Sequence, residues 1–76
     1  MYKGYILLNC DLGAEEYVVE ELRQITGVRS ASLTFGVYDA IVEIDTETQA
    51  EFEKIVSEIR KQRRVVSTMT LTLNSS

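Results

Sequence analysis

The chain has no histidine, no proline and no tryptophan, and a single cysteine, Cys10. Without histidine there is no Ser–His or Cys–His pair to make a nucleophile. A metal site built from scattered carboxylates alone would be weak, so no metal or cofactor is expected. One cysteine excludes an internal disulfide. Cys10 has no cationic neighbour in sequence to lower its pKa, so it reads as a core or strand-end side chain. Long apolar runs are also missing. Near the N-terminus only Tyr5 to Leu8 is continuously apolar, short of the roughly 7–15 residues of a signal-peptide core and the roughly 20 of a membrane span. A cytoplasmic location follows, in keeping with a lone thiol. Positive charge is in deficit too: 8 Lys and Arg against 12 Asp and Glu give a net charge of −4. Such a field opposes nucleic-acid binding, which rests largely on neutralising phosphates.

At 76 residues the chain is one domain, residues 1–76. A chain of this size buries only about 60% of the surface its unfolded form exposes. Small domains of this kind are completed by disulfides, a metal or oligomerisation. With the first two set aside, an oligomer is expected.

Gly4 to Cys10 is apolar on both alternating sets, as in a central strand covered on both faces. Ala14, Val18, Val19, Leu22 and Ile25 recur at helical spacing. Asp11 or Gly13 would cap this helix, Glu15 and Glu16 suit its positive end, and Thr26-Gly27 stops it. Val28 to Phe35 reads as a second strand. Gly36-Val37 turns the chain, and Tyr38 to Asp45 runs back as a third. Tyr38, Ala40, Val42 and Ile44 fall on one face of it, and Asp39, Ile41 and Glu43 on the other. Thr46 with Gln49, or Thr48 with Glu51, gives a capping box for a second helix that buries Phe52, Ile55, Val56 and Ile59. Val65 to Leu73 alternates Met69, Leu71 and Leu73 against Thr68, Thr70 and Thr72.

The order is βαββαβ. An internal repeat at an offset of 37 residues supports it: Glu16, Val19, Glu21 and Arg23 match Glu53, Val56, Glu58 and Arg60. Two such halves form an α+β, ferredoxin-like domain, a four-stranded antiparallel sheet with both helices on one face. The other face is left bare, and a partner's sheet would complete the burial.

Asp39 and Glu43 share a strand face but stand about 13 Å apart at about 3.3 Å per residue, too far to act as a catalytic pair. The loop Asp11-Leu12-Gly13 before a helix is a place for an anion, but Asp11, Glu15 and Glu16 would repel one; acylphosphatases, which share this fold, use an arginine there. Arg60-Lys61-Gln62-Arg63-Arg64 is read as cations that complement a helix C-terminus, with Lys54 placed to pair with Glu58, in preference to a nucleic-acid patch. RNA-recognition domains of this topology stack bases on aromatics of the third strand, and here that strand is acidic. Gly36-Val37-Tyr38-Asp39 is, at the least, a good turn.

At this hairpin the sequence resembles the effector-binding (RAM) domain of the Lrp/AsnC family. The similarity runs through the first strand to Gly13, Val18-Val19-Glu20-Glu21-Leu22, Ile25-Thr26-Gly27-Val28, the G-x-Y-D hairpin at Gly36 to Asp39, and Ser67-Thr68-Met69-Thr70-Leu71. The resemblance implies no enzyme but a sensor of amino acids that takes part in transcription regulation. It also implies dimers of the dimeric α/β-barrel type with sheets packed face to face, in many members assembled into octamers. Effectors bind where dimers meet, and by position the candidates are Gly36, Tyr38, Asp39, Ser67, Thr68 and Thr70. A carboxylate can hold an ammonium group, while hydroxyls and backbone N–H groups can hold a carboxylate. Two departures stand out. Arg63-Arg64 replaces the Pro-Gly expected before the last strand. The usual N-terminal helix-turn-helix is absent from this sequence, so it is similar to stand-alone RAM proteins. Such a chain would act on full-length Lrp/AsnC regulators by co-assembly, without touching DNA itself. A pure interaction module, an ACT-like sensor and a small dimeric α/β-barrel monooxygenase are the other readings, the last disfavoured by the missing histidine.

Overall fold

The computed structural model describes residues 2–73. Strands β1 (Tyr2–Cys10), β2 (Val28–Leu33), β3 (Ala40–Thr46) and β4 (Val65–Leu73) alternate with helices α1 (Glu15–Arg23) and α2 (Gln49–Arg60) in the order βαββαβ. The sheet is antiparallel throughout, in the order β2-β3-β1-β4. β1 is central, as its apolar run implied.

Period-two alternation divides the sheet into two faces. Ile6, Leu8, Ala31, Ala40, Val42 and Ile44 point to the helices and are buried with Val18, Val19 and Leu22 of α1 and Phe52, Ile55 and Ile59 of α2. Each large side chain sealed in this layer contributes roughly 1.5–3 kcal/mol. Gly4 is the seat of Phe52: a Cβ there would lie 2.5 Å from the ring and 2.6 Å from the Leu71 carbonyl oxygen. Tyr2 then packs edge-on against the same ring, with centroids 5.3 Å apart.

The second capping option is the one realised. Thr48 is the N-cap of α2, its hydroxyl oxygen accepting from Glu51 N, whereas Thr46 donates its hydroxyl to the Thr48 carbonyl. Neither Asp11 nor Gly13 caps α1; Ala14 stands there without a side-chain cap, and Glu15 instead accepts from Gly13 N. Among the described residues the ion pairs are Glu20–Arg23 and Arg29–Asp45, so the expected Lys54–Glu58 pair is not formed.

Three expectations about the sheet are corrected. β2 ends at Leu33 and β3 begins at Ala40, so the two-residue turn at Gly36-Val37 is in fact a loop over 34–39. Its ends are tied by Thr34 N and the Thr34 hydroxyl, which donate to the carbonyls of Asp39 and Tyr38. Gly36, at φ +127°, takes the backbone region closed to other residues. Tyr38 therefore does not share a face with Ala40. Finally, β1 is covered on one face only within the protomer, with Tyr5 and Leu7 half-buried on the other.

Candidate functional site

The registers fix which residues meet on the helix-free face. Ser32, Ile41, Leu7 and Met69 form one row across the four strands; Ser30, Glu43, Tyr5 and Leu71 form the next. Lys3 lies between Asp45 and Leu73 in a third. Met69, Leu71 and Leu73 are 45–48% exposed there, so the face presents a connected apolar field with a polar margin on the β2–β3 side.

Beyond the Leu7 row the face ends at a polar group. Asn9 opposes Ser67, and its side-chain amide donates to the Ser67 hydroxyl at 3.4 Å. The Asn9 side-chain oxygen accepts from Asp39 N at 3.1 Å, while that same N–H reaches the Leu8 carbonyl at 2.9 Å. The Asp39 carboxylate accepts from Cys10 N at 3.0 Å. Tyr38 turns over the face, its hydroxyl donating to the Met69 sulfur at 3.7 Å. Phe35 and Val37, at the tip of the same loop, stand fully in solvent.

The six residues singled out from sequence are thus divided. Gly36, Tyr38, Asp39 and Ser67 gather at one end of the open face. Thr68 and Thr70 are on the other side of β4, because alternation sends them toward α2: Thr68 accepts from Arg60 Nε at 3.4 Å, and the Thr70 hydroxyl is buried without a partner. Asn9 was not among the six, yet it joins Asp39 to Ser67. Its part depends on strand register between residues 30 and 58 positions apart, which no local motif discloses.

The Cys10 thiol lies behind this group and is buried. Burial first, and then the carboxylates of Asp39, Glu15 and Asp11, push its pKa above the usual thiol value. It is held protonated and unreactive at neutral pH. Among the described residues no group of three or more Cys, Asp or Glu side chains is placed to hold a metal ion, and no helix is long and apolar enough to cross a membrane.

No protein-family model matches the chain, and no curated protein sequence does so. Solved structures do. The structure of FFRP-DM1 is 31% identical, with a TM-score of 0.92 over 97% of this chain and 100% of that one. Escherichia coli AsnC superposes with a TM-score of 0.86 at 16% identity, over 99% of this chain and 52% of its own. The transcriptional regulator NMB0573 of Neisseria meningitidis, solved as a complex with L-Met, gives 0.84 at 14% identity, over 99% and 51%. The chain belongs to the Lrp/AsnC family of effector-binding (RAM) domains. RAM domains are regulatory and non-catalytic. Effector sensing and oligomerisation in transcription regulation are the role this membership supports. This RAM domain spans about half the length of AsnC and NMB0573.

Proposed function

We propose that this single domain works as an oligomer that binds a free amino acid beside the 34–39 loop and passes that state to full-length Lrp/AsnC regulators by co-assembly. The observation that carries the reading is the group Asp39–Asn9–Ser67, set at the edge of an uncovered apolar sheet face. Two such faces packed about 10 Å apart would bury Tyr5, Leu7, Ile41, Met69 and Leu71. The polar group would then lie at the rim, where the exposed Phe35 and Val37 offer a contact for a neighbouring dimer. One oxygen of the Asp39 carboxylate is occupied by Cys10 N–H, and the other is suited to an ammonium group. Ser67 and the Asn9 amide supply donors for a carboxylate, and backbone at Gly36 allows close approach. Thr68 and Thr70 support this site only through β4, by fixing the side on which Ser67 emerges. The L-Met bound to NMB0573 is a ligand of the class such a pair of groups recognises.

Calorimetric titration of wild type and Asp39→Asn tests the assignment. Asparagine keeps an acceptor for Cys10 N–H and removes the charge. A charge-assisted bond contributes roughly 1.5–3 kcal/mol, so affinity for the amino acid should fall about 10- to 150-fold with the melting temperature unchanged. Equal affinity in both proteins would remove Asp39 from the site. The bond from Cys10 N–H also favours a second reading, in which Asp39 only shapes the loop and the domain is an interaction module. In that case no amino acid binds and Asp39→Asn changes only stability.

A further inference from the structure

The two edges of the sheet are treated differently. β2 is short and carries Arg29, its register shifts between Val28 and Ser30, and Arg23 donates twice to the Ala31 carbonyl, at 3.0 and 2.9 Å. Those are the usual devices that stop an edge from pairing. β4, the opposite edge, has nine residues with no charge and no proline. It pairs with β1 alone, and nothing among the described residues covers its outer side. A groove of about 460 Å³ runs beside it under α2, lined by Gln49, Glu53, Val56, Ser57 and Arg60 along one stripe of the helix, with Thr70 at its floor.

That stripe is self-complementary. Glu53 and Arg60 stand at equal distances on either side of the Val56–Ser57 pair, so a two-fold axis there sets each glutamate opposite the other copy's arginine. Neither side chain forms an ion pair within the protomer among the described residues. Both are held toward the groove: Glu53 accepts from Gln49 Nε2 at 3.0 Å, and Arg60 donates to Thr68. The strand agrees with the helix. Arg60 is level with Thr68, and Phe52 lies near the Leu71 carbonyl. The stripe's midpoint therefore falls near Thr70, within a residue of Met69 at the centre of β4.

We propose that β4 pairs antiparallel with β4 of a second copy about this axis, joining two sheets edge to edge with Glu53 facing the partner's Arg60. The contact is isologous, as in most closed assemblies, and brings no like charges together along the strands. Three strand spacings of about 4.8 Å separate β1 from the partner's β1, about 14 Å in all. With α2 above β1, that gap is too wide for helices in contact, at 8–10 Å, but is spanned by an arginine meeting a glutamate. The pairing also continues the row Met69–Leu71–Leu73 across the axis, doubling the apolar field of the open face. The pairing runs along the outer edge of β4, the strand that also carries Ser67, Met69 and Leu71, and it requires neither the face-to-face contact nor a bound amino acid.

Charge reversal at exposed positions tests it. Sedimentation at micromolar concentration should show Glu53→Arg and Arg60→Glu each halving the mass of the assembly, and the double reversal restoring it. The same series on an Ile41→Arg background, which opens the face-to-face contact, should show the same twofold step from a smaller starting mass. Masses unchanged by the single reversals, or not restored by the double one, would overturn the edge pairing. Loss of mass in Ile41→Arg alone, with no response to the charge series, would leave the sheet-face dimer and refute this one.

Discussion

Cys10 shows how one residue records its surroundings. Its thiol is buried and ringed by Asp39, Glu15 and Asp11, which raise its pKa. A raised folded-state value means that the native protein holds the thiol proton more tightly than the unfolded chain. The corresponding stability is therefore complete below the unfolded thiol pKa, about 8.5, and is lost as pH rises through the folded value. Wild type should lose stability above about pH 8.5 more steeply than Cys10→Ala, as followed by urea melts across that range. Iodoacetamide at pH 8 should label the native thiol at least tenfold more slowly than the urea-unfolded one. Equal rates would mean that Cys10 is exposed. Asp39, whose carboxylate accepts from Cys10 N–H, is legible as a candidate through the resemblance of Gly36-Val37-Tyr38-Asp39 to the family's G-x-Y-D hairpin; the residues alone read as a turn. Its link to Asn9 and Ser67 is not legible, since it depends on three strands coming into register.

Among the elements, α2 is the best determined by local chemistry. Thr48 caps it, its hydroxyl accepting from Glu51 N and donating to the Glu51 carboxylate, so Thr48→Ala should cost about 1 kcal/mol of unfolding free energy, whereas Thr46→Ala should not disturb the cap. Gly4 is the more sensitive point. A methyl there meets the Leu71 carbonyl oxygen at 2.6 Å as well as the Phe52 ring, and backbone yields less readily than a side chain. Gly4→Ala should destabilise by roughly 1–3 kcal/mol, as overpacked cores do, read from denaturant midpoints at unchanged slope. The six elements were legible because their apolar periods are long and regular. The β2–β3 connection is not legible in the sequence, because its length is set by hydrogen bonds from Thr34 to Asp39 and Tyr38 and from Asp39 to Leu8, whereas alternation alone carries Tyr38 straight into the strand. The bounds of β4, Val65–Leu73, are legible, but its pattern of threonine against leucine does not say which set faces the helices. The structure gives that side to the threonines, because β4 is an edge strand that α2 only partly roofs.

For the whole molecule, the decisive fact is a small core under two helices with an apolar sheet face left open. Face-to-face packing would bury that face, and Ile41→Arg at its centre should lower the oligomeric mass measured by light scattering while leaving the fold of the protomer intact. A protomer of 8.6 kDa at micromolar concentration in wild type would contradict the packing. Amino-acid sensing by this RAM domain is proposed to take place at the Asp39 end of the sheet. Thermal-shift measurement of wild type and Asp39→Asn against each of the twenty amino acids tests it most directly. A ligand at 100 times its dissociation constant adds about 2.7 kcal/mol, and 1 kcal/mol moves the melting temperature of so small a domain by about 4–8 °C. At least one amino acid should therefore raise the wild-type melting temperature by about 10 °C or more, with the shift largely lost in Asp39→Asn. No shift with any of the twenty would rule out amino-acid sensing by this domain, and the same shift in both proteins would remove Asp39 from the site.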